Sequence, residues 1–286
     1  MMYVFIEQEC PDLPIATCCA VMGVSTSGFY QRRNQPVTNA EYADAELTNT
    51  IVDIHEMSRR SYGSPRVHAE LTLGLDVAVS LGRVERLMSE SAIAGVYQRK
   101  RKGLTQADPK ATPHLDLVER AFDPHEPDVL WCMDITEHPT SEGKVYLAAV
   151  LDAFSRRVVG WSIADHIRSE LVVDALTMAR WRRQPDGTIA HSDHGSQYTS
   201  WLCGKTLRDA GMLGSIGSIG DCFDNAVIES FFGSLQMELL NTRTWQTREE
   251  LAQAIFEWIE AWYNPRRRHS YCDMLSPIDY ETAKAA

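Results

Sequence analysis

Three acidic side chains stand where packing alone would not put a charge: Asp134 in "WCMDIT", Asp193 in "IAHSDHGSQYTS" and Glu229 in "DNAVIESFFGSLQ". Asp134 shares a strand face with Leu130, Cys132 and Thr136, where a charge is disfavoured unless something uses it. Asp193 ends a short apolar run, with no lysine or arginine nearby to pair with it. Glu229 lies beside the apolar stripe of Ile228, Phe231, Phe232, Leu235 and Leu239, so it leans toward the core side of its helix. Singly, each has an ordinary explanation: a strand-end carboxylate bonded to backbone, a turn-starting aspartate, a helix-surface glutamate. Together they make a set of hard oxygen donors suited to Mg²⁺ or Mn²⁺. Two such ions, roughly 3.5 to 4 Å apart, can hold the attacking and leaving oxygens of an in-line displacement at phosphorus.

Other polar residues near these three carry weaker signals. His191 and His194 flank Asp193, but a spacing of three in a strand-to-turn segment puts them on different faces, so they read as hydrogen-bonding groups rather than zinc ligands. Gly195, Ser196, Gln197 and Tyr198 suit either phosphate contact or plain turn chemistry. Asp152 reads as a strand-end acid packed with Arg156 or Arg157, or as an auxiliary ligand.

For the three acids to meet, the chain must gather distant elements. Apolar spacing predicts two helical pairs in the first hundred residues. The first, "LPIATCCAVMGVSTSGFYQRR", turns around Gly23 and Val24 with a helix-turn-helix rhythm. The second, "SPRVHAELTLGLDVAVSLGRVERLMSE", has Pro65 near the start of one helix and Gly74 at its end. A longer amphipathic helix, "NAEYADAELTNTIVDIHEMSRRS", joins them. The stretch "QRKRKGLTQADPKATPH" then loses all periodicity, which sets a helical region at 1–97, a linker at 98–122 and a second domain at 123–286. Beyond it, "DVLWCMDITEHP", "GKVYLAAVLDAFS" and "RRVVGWSIAD" read as an antiparallel meander. A helix, the short strand "GTIAHSD", another helix, the short apolar run "GSIGSIG" and further helices follow. That element order is similar to a ribonuclease-H-like fold, an α/β core with a mixed five-stranded sheet and flanking helices. In such a fold the first strand, the end of the fourth and a late helix converge at one end of the sheet.

Composition bounds the alternatives. The 286 residues are 44% hydrophobic and 23% charged, ordinary values for a globular protein. No run of about 18 apolar residues and no basic-flanked hydrophobic leader occurs, so a cytoplasmic protein without a membrane partner is expected. Seven scattered cysteines without a C-x-x-C pair oppose a disulfide framework. The net charge of −11 opposes nonspecific nucleic-acid binding by the whole surface. The imbalance sits in residues 121–286, with 15 basic and 24 acidic side chains, against 13 and 15 in residues 1–120.

"WCMDIT", "VLDAFSRRVVGW", "HSDHGSQYTS" and "DNAVIESFFGSLQMELL", with 35 residues between Asp193 and Glu229, resemble the DDE catalytic core of insertion-sequence transposases of the family numbered three, of the second-reading-frame (OrfB) type. That core is similar to retroviral integrase. The resemblance extends upstream to "SYGSPRVHAEL" and "VERLMSE" and downstream to "YNPRRRHS" and "LSPIDY", nearly the whole chain. It implies that Asp134, Asp193 and Glu229 bind two Mg²⁺ ions, with Mn²⁺ as a substitute. It also implies that one site performs donor-end cleavage and then strand transfer, without a covalent protein–DNA intermediate. The implied partners are DNA (transposon ends and target), further copies of the chain in a homo-multimer, and the product of an upstream reading frame joined by frameshifting.

Nucleic-acid contacts are expected from Asn225, one helical turn before Glu229, and from Gln236, seven residues after it, where the family commonly has lysine or arginine. Two basic clusters join them: Arg99, Lys100, Arg101 and Lys102 in the linker, and Arg266, Arg267 and Arg268 near the end. Two other functions use the same features: a metal-dependent DNA nuclease without strand transfer, and a catalytically silent DNA-binding regulator.

Overall fold

The computed structural model describes residues 2–34, 37–96, 124–193, 195, 197, 198, 200–216 and 226–285. The expected linker at 98–122 lies outside them, as do the basic residues Arg99, Lys100, Arg101 and Lys102, and also Asn225, His194 and Ser196.

Helices α1 (Met2–Glu9), α2 (Ile15–Val21) and α3 (Thr26–Asn34) close around a small cluster of their own, formed by Ile6, Cys18, Cys19 and Phe29. Gly23, at φ +66° after α2, supplies the left-handed backbone that the turn needs. The sequence gives no signal for α1, because its apolar residues lack a clear stripe. Helix α4 (Asn39–Met57) starts at a capping box: the Thr38 hydroxyl accepts from the Glu41 N–H at 3.2 Å, and the Glu41 carboxylate accepts from the Thr38 N–H at 2.8 Å. Helix α5 (Ser64–Ala69) has Pro65 in its first turn and widens into a π turn over Glu70–Gly74. Helix α6 (Leu81–Glu90) is tied to α4 by Arg83 and Arg86, both 2.7 Å from Asp44.

Strands β1 (Leu130–Thr140), β2 (Gly143–Asp152), β3 (Val158–Ala164), β4 (Ile189–Ser192) and β5 (Leu213–Ile216) form one sheet in the order β3-β2-β1-β4-β5. The first three pair antiparallel, as the meander predicts, while β4 and β5 add parallel to β1. Parallel addition requires a crossover, supplied by α7 (Ser169–Arg183) and α8 (Trp201–Asp209). Gly160 on β3 permits the close approach of α7, since an added Cβ would strike the Ala175 carbonyl. Helices α9 (Ala226–Glu238), α10 (Arg248–Glu257, continued as a π turn over Trp258–Tyr263) and α11 (Pro277–Ala285) complete the chain.

Strand alternation divides the core. Trp131 and Met133 of β1 pack with Leu171, Leu176 and Leu207 on the face covered by α7 and α8. Leu130 and Cys132 point to the other face, into a cluster with Phe231, Leu235, Trp258 and Ile259. Helices α4 to α6 bury Leu47, Ile51, Tyr62, Leu71 and Leu87 in that same cluster, so this part of the helical region shares its core with the sheet. Burying one such large side chain contributes roughly 1.5 to 3 kcal/mol.

Asp152, at the end of β2, is fully buried and structural. Its partner is neither Arg156 nor Arg157, as its sequence neighbourhood suggests, but Arg183 of α7 at 3.5 Å, with backbone N–H donation from Asp128 and Phe154. Arg183 also meets Asp128 and Glu281, each at 2.8 Å. Glu281 belongs to α11, a helix the short run "LSPIDY" does not announce. No helix among the described residues is long and apolar enough to cross a membrane.

Candidate active site

The register of the sheet brings two of the three acids side by side. In the parallel β1–β4 ladder Met133 pairs with Ser192, so Asp134 and Asp193 are next in step. Paired positions on parallel strands share a face and lie about 4.8 Å apart. The even-numbered residues of β1 point toward the face covered by α9, which packs on β1 and carries Glu229 in its first turn. Glu229 is exposed rather than leaning into the core; Ile228, Phe231, Phe232 and Leu235 take the buried face and leave it at the rim.

Electrostatics tie the three together. The Asp134 carboxyl is raised to about 7: burial is the largest cause, the Ile135 N–H opposes it, and the charges of Asp193 and then Glu229 add to it. Among the described residues no lysine or arginine forms an ion pair with any of the three. Asp134 Oδ1 accepts from the Ile135 N–H at 2.7 Å, and Asp193 Oδ1 from the Gly195 N–H at 2.9 Å. Among the described residues no hydrogen bond engages the opposite oxygen of either carboxylate. As the side chains stand, no three His, Cys, Asp or Glu residues among those described close into a single-ion cage. Asp134 is the member that senses both others.

Tyr198 is the neighbour that the sequence undersells. It packs with Trp131, Met133 and Cys203, and its hydroxyl is buried with no hydrogen-bond partner among the described residues. Burial first, then Asp134 and Asp193, hold its phenol well above the usual range. The run "GSQYTS" reads as a uniformly polar loop, which conceals that the tyrosine is a wall of the acidic site. His191, on β4, is buried with Nδ1 3.0 Å from the Ser215 hydroxyl.

The expected DNA contacts divide. Gln236 is half-buried on α9, and Arg266 is exposed. Arg267 and Arg268 are corrected: both are buried, at 3% and 7% exposure, and neither stands free on a solvent face. Arg267 pairs with Glu238 at 2.7 Å, and Arg268 pairs with Glu70 at 2.6 Å while its N–H donates to the Tyr62 hydroxyl. A buried guanidinium needs a carboxylate, and the fold supplies one to each.

Comparison with known proteins gives a consistent picture. Residues 124–222 and 229–284 each match a family described as "Integrase core domain", and residues 41–101 match an "HTH-like domain". The chain is 35% identical over 270 residues to the transposase of insertion sequence element IS986/IS6110 of Mycobacterium tuberculosis, covering 92% of this chain and 96% of that one. It is also 35% identical, over the full length of both chains, to transposase InsF for insertion sequence IS3A of Escherichia coli. Among solved structures, a simian T-cell lymphotropic virus intasome in complex with the PP2A regulatory subunit B56 gamma aligns with a TM-score of 0.47 at 12% identity, over 81% of this chain and 74% of that one. The HTLV-2 integrase catalytic core domain in complex with magnesium aligns with a TM-score of 0.42 at 16% identity, over 55% and 98%.

Proposed function

The chain belongs to the family of insertion-sequence transposases that includes the IS3 and IS986/IS6110 proteins, and on that premise we propose that Asp134, Asp193 and Glu229 are the metal-binding catalytic carboxylates of a DNA transposase. The enzyme is a polynucleotidyl transferase. The observation that carries the residue assignment is the electrostatic junction at Asp134, which feels both Asp193 and Glu229, with no basic partner for any of them among the described residues.

The donor set fits divalent ions. Burial and the charges of its two neighbours destabilise the ionised form of Asp134, and a bound dication reverses that penalty. Each aspartate spends one oxygen on a backbone N–H, which fixes its rotamer, and keeps the other for a ligand. Asp134, which feels both neighbours, would be the central ligand of the set, with Asp193 and Glu229 beside it. When bound, two Mg²⁺ ions (or Mn²⁺) would activate water or a DNA 3′-hydroxyl and stabilise the departing 3′-oxygen. The chain's own part is positional: β1 and β4 hold the aspartates on adjacent strands, and α9 brings the glutamate over them. Tyr198 packs against β1 close enough for the charges of both aspartates to act on its phenol. The substrates on this reading are transposon ends and target DNA, handled by several copies of the chain acting together with the product of an upstream reading frame.

The test is a labelled, precleaved transposon end incubated with the full chain, target DNA and Mg²⁺. Joined products are expected from the wild type, and none from Asp134→Asn, Asp193→Asn or Glu229→Gln. Nicking without joining would move the protein to the hydrolytic nucleases, and three variants with wild-type activity would remove the carboxylates from the chemistry.

A further inference from the structure

On one flank of α9, a cavity of about 340 Å³ has walls from four separate parts of the chain. Arg66 comes from α5, Arg156 from the turn between β2 and β3, Ser230 and Ser234 from α9, and Arg267 and His269 from the segment after α10. The charges on these walls do not balance. Arg267 is committed to Glu238, at 2.7 Å, and to the Ser234 hydroxyl, at 3.1 Å, so it forms the floor. Glu238 is the single carboxylate that ion-pairs with any of the three guanidiniums among the described residues. His269 offers no negative charge and is held uncharged: burial, then Arg267, Arg66 and Arg156, push it well below its usual value.

Arg66 and Arg156 are therefore surplus cations. Arg156 is stacked on the Tyr271 ring at 3.8 Å, which fixes the guanidinium plane, and its Nη1 is buried with no hydrogen-bond partner among the described residues. Its backbone has φ +61°, a left-handed conformation that a residue with a side chain adopts at a cost. Burial and the Arg267 charge both pull the Arg66 guanidinium down. Uncompensated buried cations destabilise a fold, and a planar fork of N–H donors matches the oxygens of a phosphate.

We infer that this cavity binds a backbone phosphodiester of DNA, with Arg66 and Arg156 as its donors and the Ser230 hydroxyl beside them. Ser230 directly follows Glu229 on α9, so a phosphate held here sits on the neighbouring flank of the helix that carries the glutamate. Because Arg66 lies in the helical region and Arg156 in the sheet domain, the same phosphate bridges the two. The inference rests on the proposed function only in taking DNA as the substrate.

The test measures binding of a fluorescein-labelled DNA duplex by anisotropy across a salt series, for the wild-type chain and for Arg66→Gln, Arg156→Gln and Arg156→Lys. Each glutamine variant is expected to weaken binding about 10-fold and to lower the salt slope by about 0.9 for each phosphate it no longer neutralises. Arg156→Lys should keep the slope and lose part of the affinity. Melting temperature without DNA should hold or rise, because each glutamine removes an unbalanced cation. Unchanged affinity and slope in folded variants overturn the inference, and so does an affinity loss that merely follows a fall in melting temperature. Stabilisation of the wild type by inorganic phosphate, lost in Arg156→Gln while DNA affinity stays the same, would assign the pocket to a free anion and also overturn it. Cleavage and joining assays run in parallel separate the two readings. A wild type that joins DNA alongside arginine variants that bind it normally refutes only the pocket. Weakened DNA binding by the arginine variants with an inert wild type refutes only the catalytic reading.

Discussion

Two groups of acids lie on the sheet domain and differ in one respect. Asp128, Asp152 and Glu281 converge on Arg183, and Asp152 gains three backbone N–H donors besides. Asp134 feels the charges of Asp193 and Glu229, with no cation paired to any of the three among the described residues. Burial pushes the carboxyls of Asp152 and Asp134 up alike, but in the first group arginine and backbone donors hold the charge, while in the second the neighbours add to the strain. The first group staples α7 and α11 to the sheet. The second leaves the Asp134 charge uncompensated, as expected of the cation-binding site proposed for it.

The strongest way to break this contrast is to neutralise one member of each group. Asp134→Asn should lower joining activity by about 10³-fold or more, since metal stabilisation of transition-state charge is worth several kcal/mol. It should leave the folded metal-free chain intact. Arg183→Ala should do the reverse, costing about 3 to 5 kcal/mol in denaturant unfolding because it strands Asp152 in the interior. If Arg183→Ala folds as stably as wild type, the staple reading fails.

A pH series sharpens the difference. In the metal-free fold Asp134 titrates at about 7 instead of the ordinary 3.8, so the native state holds its proton after the unfolded state has released it. The stability this lends is complete below about pH 4 and is lost as pH rises through 7, amounting to a few kcal/mol at most. Asp134→Asn should flatten that slope. Mg²⁺ should raise the wild-type melting temperature more at pH 8 than at pH 6, because proton and metal compete for one carboxylate, and should leave Asp134→Asn nearly unmoved. A slope unchanged by the substitution would show that the acids do not sense one another. The smallest effect belongs to Tyr198→Phe. Removing a buried hydroxyl without a partner should change stability by less than about 1 kcal/mol, and in the favourable direction. A marked loss would reveal a hydrogen bond that ties the wall to the triad.

Much of this is legible in the sequence because the signals are local. The alternation in "DVLWCMDITEHP" gives β1 and the face of Asp134, and the apolar stripe of "VIESFFGSL" gives α9. What escapes depends on contacts between distant residues. "YNPRRRHS" reads as a solvated basic cluster, yet Arg267 is consumed by Glu238, 29 positions away, and Arg268 by Glu70, 198 positions away. Asp152 reads as a companion of its neighbours in sequence, while its partner is one helix over in space. Glu229 reads as core-leaning because a stripe defines a helix face only to within a residue, and the flanking position falls on the open side.

The burial of Tyr62 and Leu71 in one cluster with Phe231 and Trp258 has a mechanical corollary. Helices α4 to α6 cannot swing away from the sheet without exposing the floor on which α9 rests. A backbone nick between residues 96 and 124 should therefore leave two fragments that still co-purify and melt in one transition. Whatever torque DNA applies to the helices would reach the carboxylates through rigid contact rather than along a tether.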